Sequence, residues 1–395
     1  MRVRPSYSVV VMGLTVASVC AEDSPEVARQ KAAKKAQDAL IAAAKQGDML
    51  ALVPLLRQGT AVNARDGSQR TPLIHAVRGG HLPAVRALIA AKADLDLRDL
   101  DNRTALIEAA RRKDSRAALD LVAAGADVNL ADRDGWTALM HAAKEGTVAS
   151  ARQIIRSKKQ SSLDAMARDE SSALGIAAER GRTALVRLLI EAGVGVGKPE
   201  IGGRALQLAA EKDHAEVVLA LMEAHAPLGF ATWEGEPPLH AAAARGQQAV
   251  VEVLLEGGVD PDQADRNGQT ALIKAAGSGH ALVVASMLRL GASPNLPDRD
   301  DWAPLAHAAA HLSTGSTGTI RDLVRAGANV DRRIGKDGQT ALMIAAEKGN
   351  ELAVDELIRS GATFDLKSGG KTALDMALAE GHKRCALKLG WTGKE

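Results

Sequence analysis

A phrase of about 33 residues recurs along this chain, and that period constrains the fold more than any other property of the sequence. One copy reads PPLHAAAARGQQAVVEVLLEGGVDPDQADRNGQ, from Pro237 to Gln269. Leu239, Ala242 and Ala243 stand at i, i+3 and i+4, which predicts a short helix with one narrow apolar stripe. Val250, Val251, Leu254 and Leu255 repeat the spacing on a second helix. Gly246 supplies the turn between them, and Gly257-Gly258 stops the second helix. The polar tail carries Asn267-Gly268, a hairpin signal, so each unit is expected to end in a projecting loop or β-hairpin.

Two helices this short cannot bury their stripes alone. Stacking similar units buries a continuous seam, and the end units then need polar outer faces. The opening of the unit recurs at Thr71-Pro72-Leu73, Thr104-Ala105-Leu106, Thr137-Ala138-Leu139, Ser172-Ala173-Leu174, Arg204-Ala205-Leu206, Pro237-Pro238-Leu239, Thr270-Ala271-Leu272, Ala303-Pro304-Leu305, Thr340-Ala341-Leu342 and Thr372-Ala373-Leu374. Successive starts lie 33, 33, 35, 32, 33, 33, 33, 37 and 32 residues apart. This phrase resembles the T-P-L-H-x-A opening of the ankyrin repeat. The resemblance implies an all-α solenoid of about eleven helix-turn-helix units with projecting β-hairpin or loop fingers. Arg204 and Ala303 lack the capping hydroxyl at the Thr position, so their units are expected to be the weaker joints.

Composition agrees with thin layers: the chain is 46% hydrophobic but only 2% aromatic, and seams of Ala, Leu and Val leave little room for rings. The net charge is +2, and Arg2 and Arg4 supply that excess. Without them basic and acidic residues balance, which argues against a general nucleic-acid or anionic-membrane binder.

Residues 1–21, MRVRPSYSVVVMGLTVASVCA, combine two arginines, an apolar run from Val9 to Val19 and small residues at the end. This pattern predicts a secretory signal peptide cleaved after Ala21, and the run is short for a spanning helix. Cys20 invites a lipid anchor, but Val19 before it fits a lipobox poorly. After cleavage Cys385 is the one remaining cysteine, expected as a small core residue rather than an exposed dimerising thiol. Residues 22–36 read as a charged helical lead-in, with Ser24 as cap and Arg29, Lys31, Lys34 and Lys35 facing water. The repeat domain spans 37–395, as an N-terminal cap (37–70), repeats (71–371) and a C-terminal cap (372–395). Pro54 is expected in the first turn of the cap's second helix. The unit from Ala303 carries an insertion, Ser313 to Thr319, read as a loop between its helices.

No catalytic constellation emerges. Gly193 to Lys198, GVGVGK, departs from a phosphate-binding loop at Ala192 and Pro199, so no nucleotide or other cofactor is expected. His307 and His311 have the spacing of two ligands on one helical face, but no third ligand is visible and no metal is expected. His240 is expected to bond backbone, and His81, His280 and His382 to serve the turns.

Stacking leaves the side chains at the tips and on the first helix of each unit unexplained. The family resemblance makes that concave side the ligand surface. Trp136 and Trp302 precede the Thr slot, and Trp233 lies near a tip. Arg133, Arg168, Arg266 and Arg299 recur at tips, and Arg111, Arg112 and Lys144 occupy variable first-helix positions. Tryptophan and arginine are the types that anchor interfaces. The alternative is that these rings lie flat on neighbouring tips and the arginines pair locally. The expectation is an exported, non-catalytic scaffold or adaptor that binds a protein along this groove. An accessory role for a periplasmic enzyme and a secreted effector acting on host proteins are the alternatives.

Overall fold

A computed structural model describes residues 25–157, 161–228 and 236–393. The segment 1–21, Ser24 and Trp233 therefore lie outside the described residues. Contacts divide the chain into a unit Met1–Ala93 and a unit Asp94–Glu395.

In the first unit, α1 (Pro25–Gln46) packs on α2 (Met49–Arg57) and α3 (Pro72–Gly79), and α4 (Leu82–Ala90) packs on α2 and α3. Only the C-terminal part of α1 is apolar enough to be covered: Leu40, Ile41, Ala43 and Ala44 are buried, while residues 26–35 are exposed. The Asp48 carboxylate accepts the N–H groups of Leu50 and Ala51 and starts α2 at Met49. This early start corrects the expected place of Pro54, which lies in the interior of α2 rather than in its first turn.

The second unit is two layers of helices. The first helix of each repeat stacks on the first helix of the next: α5 (Ala105–Arg111), α7 (Ala138–Glu145), α9 (Ala173–Glu179), α11 (Arg204–Glu211), α13 (Pro238–Arg245), α15 (Ala271–Gly277), α17 (Pro304–Ala310), α19 (Ala341–Glu347) and α21 (Ala373–Ala379). The second helices stack likewise: α6 (Ser115–Ala123), α8 (Val148–Ile155), α10 (Thr183–Glu191), α12 (Ala215–Glu223), α14 (Gln248–Glu256), α16 (Ala281–Arg289), α18 (Gly315–Arg325), α20 (Glu351–Arg359) and α22 (Lys383–Lys388). Small side chains let the first helices approach closely, so Ala105, Ala109 and Ala110 of α5 and their counterparts as far as α19 are covered. Leu121, Leu189, Leu254 and Leu357 seal the second layer. Cys385 is buried with a free thiol, as its apolar slot predicts.

The hydroxyl at the Thr slot caps the first helix where it is present. Thr104, Thr137, Ser172, Thr270, Thr340 and Thr372 each accept the N–H three residues on. Pro237 and Ala303 give no side-chain cap. At Arg204 the chain enters α11 through a π-helical turn, Pro199–Gly203, in which Ile201, Gly202 and Gly203 donate to the Lys198 carbonyl.

Histidines after the turns join neighbouring repeats. Within the first unit His81 Nε2 bonds the Lys45 carbonyl at 3.1 Å. Within the second, His214 reaches Glu179 O at 3.0 Å and His280 reaches Ala244 O at 2.9 Å. Each ring thus satisfies a carbonyl left open at the end of the preceding first helix.

Of the two expected forms of finger, loop or β-hairpin, the structure has the loop: among the described residues there are only single antiparallel bridges, such as Ala131 with Thr137 and Ala264 with Thr270. An aspartate replaces the ladder, as where Asp265 accepts the N–H groups of Asn267 and Gln269. Two further expectations are corrected. The Ser313–Thr319 insertion is not a loop. Most of it joins α18, which reaches 11 residues and buries Ser316 and Thr319. Finally, His307 and His311 do not share a helical face, because α17 ends at Ala310 and His311 turns out with ψ 120°.

Candidate functional site

The sequence Asp-Arg-Asp-Gly-Trp-Thr at 132–137 builds the best-formed site. Asp132 is buried, and its Oδ1 accepts the N–H groups of Asp134 (3.1 Å) and Trp136 (2.9 Å). Its Oδ2 receives His141 Nε2 at 2.9 Å. Gly135 sits at φ +85°, and a Cβ there would lie 3.1 Å from the Arg168 nitrogen. This close approach lets the Arg168 N–H donate to the Asp134 carbonyl and brings the next tip alongside. Thr137 then caps α7 and aims His141 and Lys144 at the same side.

The result is a cleft of about 490 Å³ lined by Arg103, Arg111, Trp136, His141, Lys144 and Arg168, with Asp132, Asp134, Glu145 and Asp169. The half-buried Trp136 ring lies 5.2 Å from the His141 ring, centroid to centroid. The Lys144 ammonium sits over the indole at 5.2 Å from its centroid. Burial lowers the His141 pKa, the Asp132 carboxylate opposes that, and the Arg111 and Lys144 charges add to the lowering. The imidazole is therefore neutral at pH 7, held by Asp132 as a fixed part of the wall.

Four predicted residues, Arg111, Trp136, Lys144 and Arg168, thus meet in one place. Arg133 is exposed on the same tip, and Arg112 is exposed where α5 ends, both outside the walls of the cleft. Arg266 and Arg299 are exposed at later tips, with the Arg299 side chain lying against the Gly268 turn. The four tip guanidinium groups form no ion pair among the described residues, contrary to the alternative of local pairing. Trp302 repeats the Trp136 geometry: Asp298 accepts its N–H at 2.9 Å and bonds His307 at 2.9 Å. Its ring, however, packs on a cluster of Ala306, Ile334 and Ile344, with Ala310 beside it.

Sequence reasoning missed His141, Arg103 and Asp132 as parts of the site. The signal was available: an Asp nine residues before a His recurs as Asp66–His75, Asp132–His141 and Asp298–His307, and each pair is bonded. A larger cleft of about 600 Å³ near α19 and α21 was also missed. It holds Lys336, Lys371 and Met376 but no aromatic ring, so it has less to anchor a partner.

His240 bonds the Gln269 carbonyl at 2.9 Å, as expected of a backbone partner. Within GVGVGK, the Gly195 N–H and the Lys198 ammonium, each at 2.8 Å, both grip the Asp164 carboxylate of the preceding repeat. Among the described residues no His, Cys, Asp and Glu side chains gather in a group fit to hold a metal. No described helix is long and apolar enough to cross a membrane.

Comparison with known proteins agrees with this architecture. The profile described as ankyrin repeats (3 copies) matches residues 39–132, 108–200, 139–229, 174–265, 239–334 and 306–390. Comparison with curated proteins finds no match. Among solved structures, the human ASB11 ankyrin repeat domain is 24% identical with a TM-score of 0.49, covering 57% of this chain and 100% of that one. With overlapping matches running unbroken from 39 to 390, the chain belongs to the ankyrin-repeat family.

Proposed function

We propose that this chain is a non-catalytic scaffold or adaptor that acts outside the cytoplasm and captures a protein on the surface formed by its first helices and tips. Ankyrin repeats are protein-interaction scaffolds, and the observation that carries the reading for this chain is the Trp136 cleft. There an indole is held half-buried by Asp132 and His141, beside cationic side chains that stacking does not need. The wall is ordered before a partner arrives, so little conformational entropy is lost on binding. Trp302 and the exposed arginines Arg133, Arg266 and Arg299, with Arg112, extend the surface along the second unit, and Trp233 belongs to the proposed set by its place in the repeat. Action outside the cytoplasm rests on the signal-peptide pattern of residues 1–21.

The test is affinity capture from the native exported fraction with the full chain and with Trp136→Ala. Loss of the captured protein with a melting midpoint within a few degrees of the parent supports the surface, and equal capture by both chains removes it. N-terminal sequencing that finds Met1 intact in the mature protein removes the export arm.

A further inference from the structure

The Trp136 cleft is close to charge-balanced by composition, but its bonding capacity is one-sided. Of its four carboxylates, Asp132 is saturated by two backbone N–H groups and His141, Glu145 pairs with Lys113 at 3.2 Å, and Asp169 accepts the Ser171 N–H. Asp134 alone keeps a carboxylate with no bond among the described residues, and it is exposed at the rim. The cations are the reverse. Among the described residues Lys144 contacts only the indole face, and the Arg168 guanidinium has no partner. Arg103 has a covered Nε–H without an acceptor although its Nη1 pairs with Asp101 at 2.9 Å. Arg111 spends one nitrogen on Glu108 at 3.1 Å, leaving the rest of its fork for another acceptor.

We infer that this cleft selects an acidic peptide segment, whose Asp or Glu carboxylates bridge Lys144 and Arg168 across the edge of Trp136. The inference rests on the proposed partner-binding reading and names the chemistry of the partner. The exposed Lys144 and Arg168 side chains carry donors without acceptors at the opening, whereas Asp132 and Glu145 are already bonded, so the unmet demand is for negative charge with lone pairs. The Trp136 ring gives the segment's aliphatic stems an apolar floor. A cationic segment would meet Lys144, Arg168 and Arg111 with only the rim carboxylates of Asp134 and Asp169 open to balance them.

The test uses the full chain with short fluorescein-labelled probes read by anisotropy: a Glu-rich peptide, its Gln counterpart, a Lys-rich peptide and a single-stranded oligonucleotide. The expected result is binding of the Glu-rich probe alone, weakening as salt rises. Lys144→Gln with Arg168→Gln is expected to weaken it about tenfold, two exposed ion pairs being lost. Both side chains are exposed, so a melting midpoint within a few degrees of the parent checks the fold of the double variant. Equal binding of the Glu-rich and Gln probes, or an unaffected double variant, overturns the inference. Preferred binding of the Lys-rich probe or of the oligonucleotide overturns it too. If the Glu-rich probe fails while Trp136→Ala still abolishes capture, the carboxylate assignment falls and the surface stands. If Trp136→Ala leaves capture unchanged, the surface itself falls.

Discussion

Replacing each of the two half-buried tryptophans by alanine separates a ring that faces outward from one that also closes the core. Full burial makes Trp→Ala cost about 3–5 kcal/mol. Trp302 is half-buried but packs on Ala306, Ile334 and Ile344, so Trp302→Ala should cost about 2 kcal/mol. Trp136 meets the His141 ring and the Lys144 ammonium, and an exposed cation–π contact contributes about 0.5–1 kcal/mol. Trp136→Ala should therefore cost about 1 kcal/mol. The difference corresponds to about 2 °C in melting midpoint for a unit as long as Asp94–Glu395. Thermal melts would rank the two variants. Hydrogen exchange would place the Trp302→Ala loss at α17 and α19, since a repeat leans on its neighbours alone. Coincident melts, or a lower midpoint for Trp136→Ala, would refute the assignment of Trp302 to the core.

Three further outcomes follow from named contacts. Burial lowers the pKa of His141 and of His240, so the unfolded chain binds protons more readily in the window below the ordinary imidazole value. Stability should fall as pH drops from 7 toward 5, measured by urea midpoints, and His141→Gln should flatten part of that slope. Gly202→Ala would place a Cβ 1.7 Å from the Val196 carbonyl oxygen, in the backbone just before the π-helical turn, and should destabilise by about 2–4 kcal/mol. Gly197→Ala, with nothing within 4 Å, is the control and should leave the urea midpoint nearly unchanged. Ala303→Thr should add the missing cap of α17 and stabilise by about 1 kcal/mol, whereas Thr270→Ala should lose a similar amount at α15 in the same denaturation assay.

The helix pairs were legible because their signals are periodic. The Leu239, Ala242 and Ala243 stripe and the Val250 to Leu255 stripe both emerge buried. Cap positions were legible for the same reason: a hydroxyl three residues before an open N–H has a local partner. The tips were not. Asn267-Gly268 reads as a hairpin, but Asp265 takes the N–H groups that a strand partner would need, and only the fold brings that competition into view. The insertion was misread because Ser, Thr and Gly favour loops in isolation. Buried Ser316 instead donates to the His311 carbonyl, and packing decides the conformation. At the site, Trp136, Arg111, Lys144 and Arg168 could be named from residue type and register. Their convergence could not, since it depends on how closely the Arg168 backbone passes Gly135. Trp302 shares the sequence context of Trp136 and differs in what lies beneath it. Ile334, which belongs to the lengthened tail of the same repeat, supplies that floor.

The lengthened α18 leaves a debt that its own repeat does not settle. Where α17 stops short, the carbonyls of Ala309 and His311 are met by the side-chain amide of Asn350, at 3.0 and 2.7 Å, from the following repeat. Asn350 is covered, and its own oxygen accepts the Ala353 N–H at the start of α20. Neighbouring modules here are matched rather than interchangeable. Recombination that moved the Ala303 module without its successor would strand the Ala309 carbonyl and leave the His311 carbonyl to Ser316 alone, so the pair must be inherited, swapped or redesigned together.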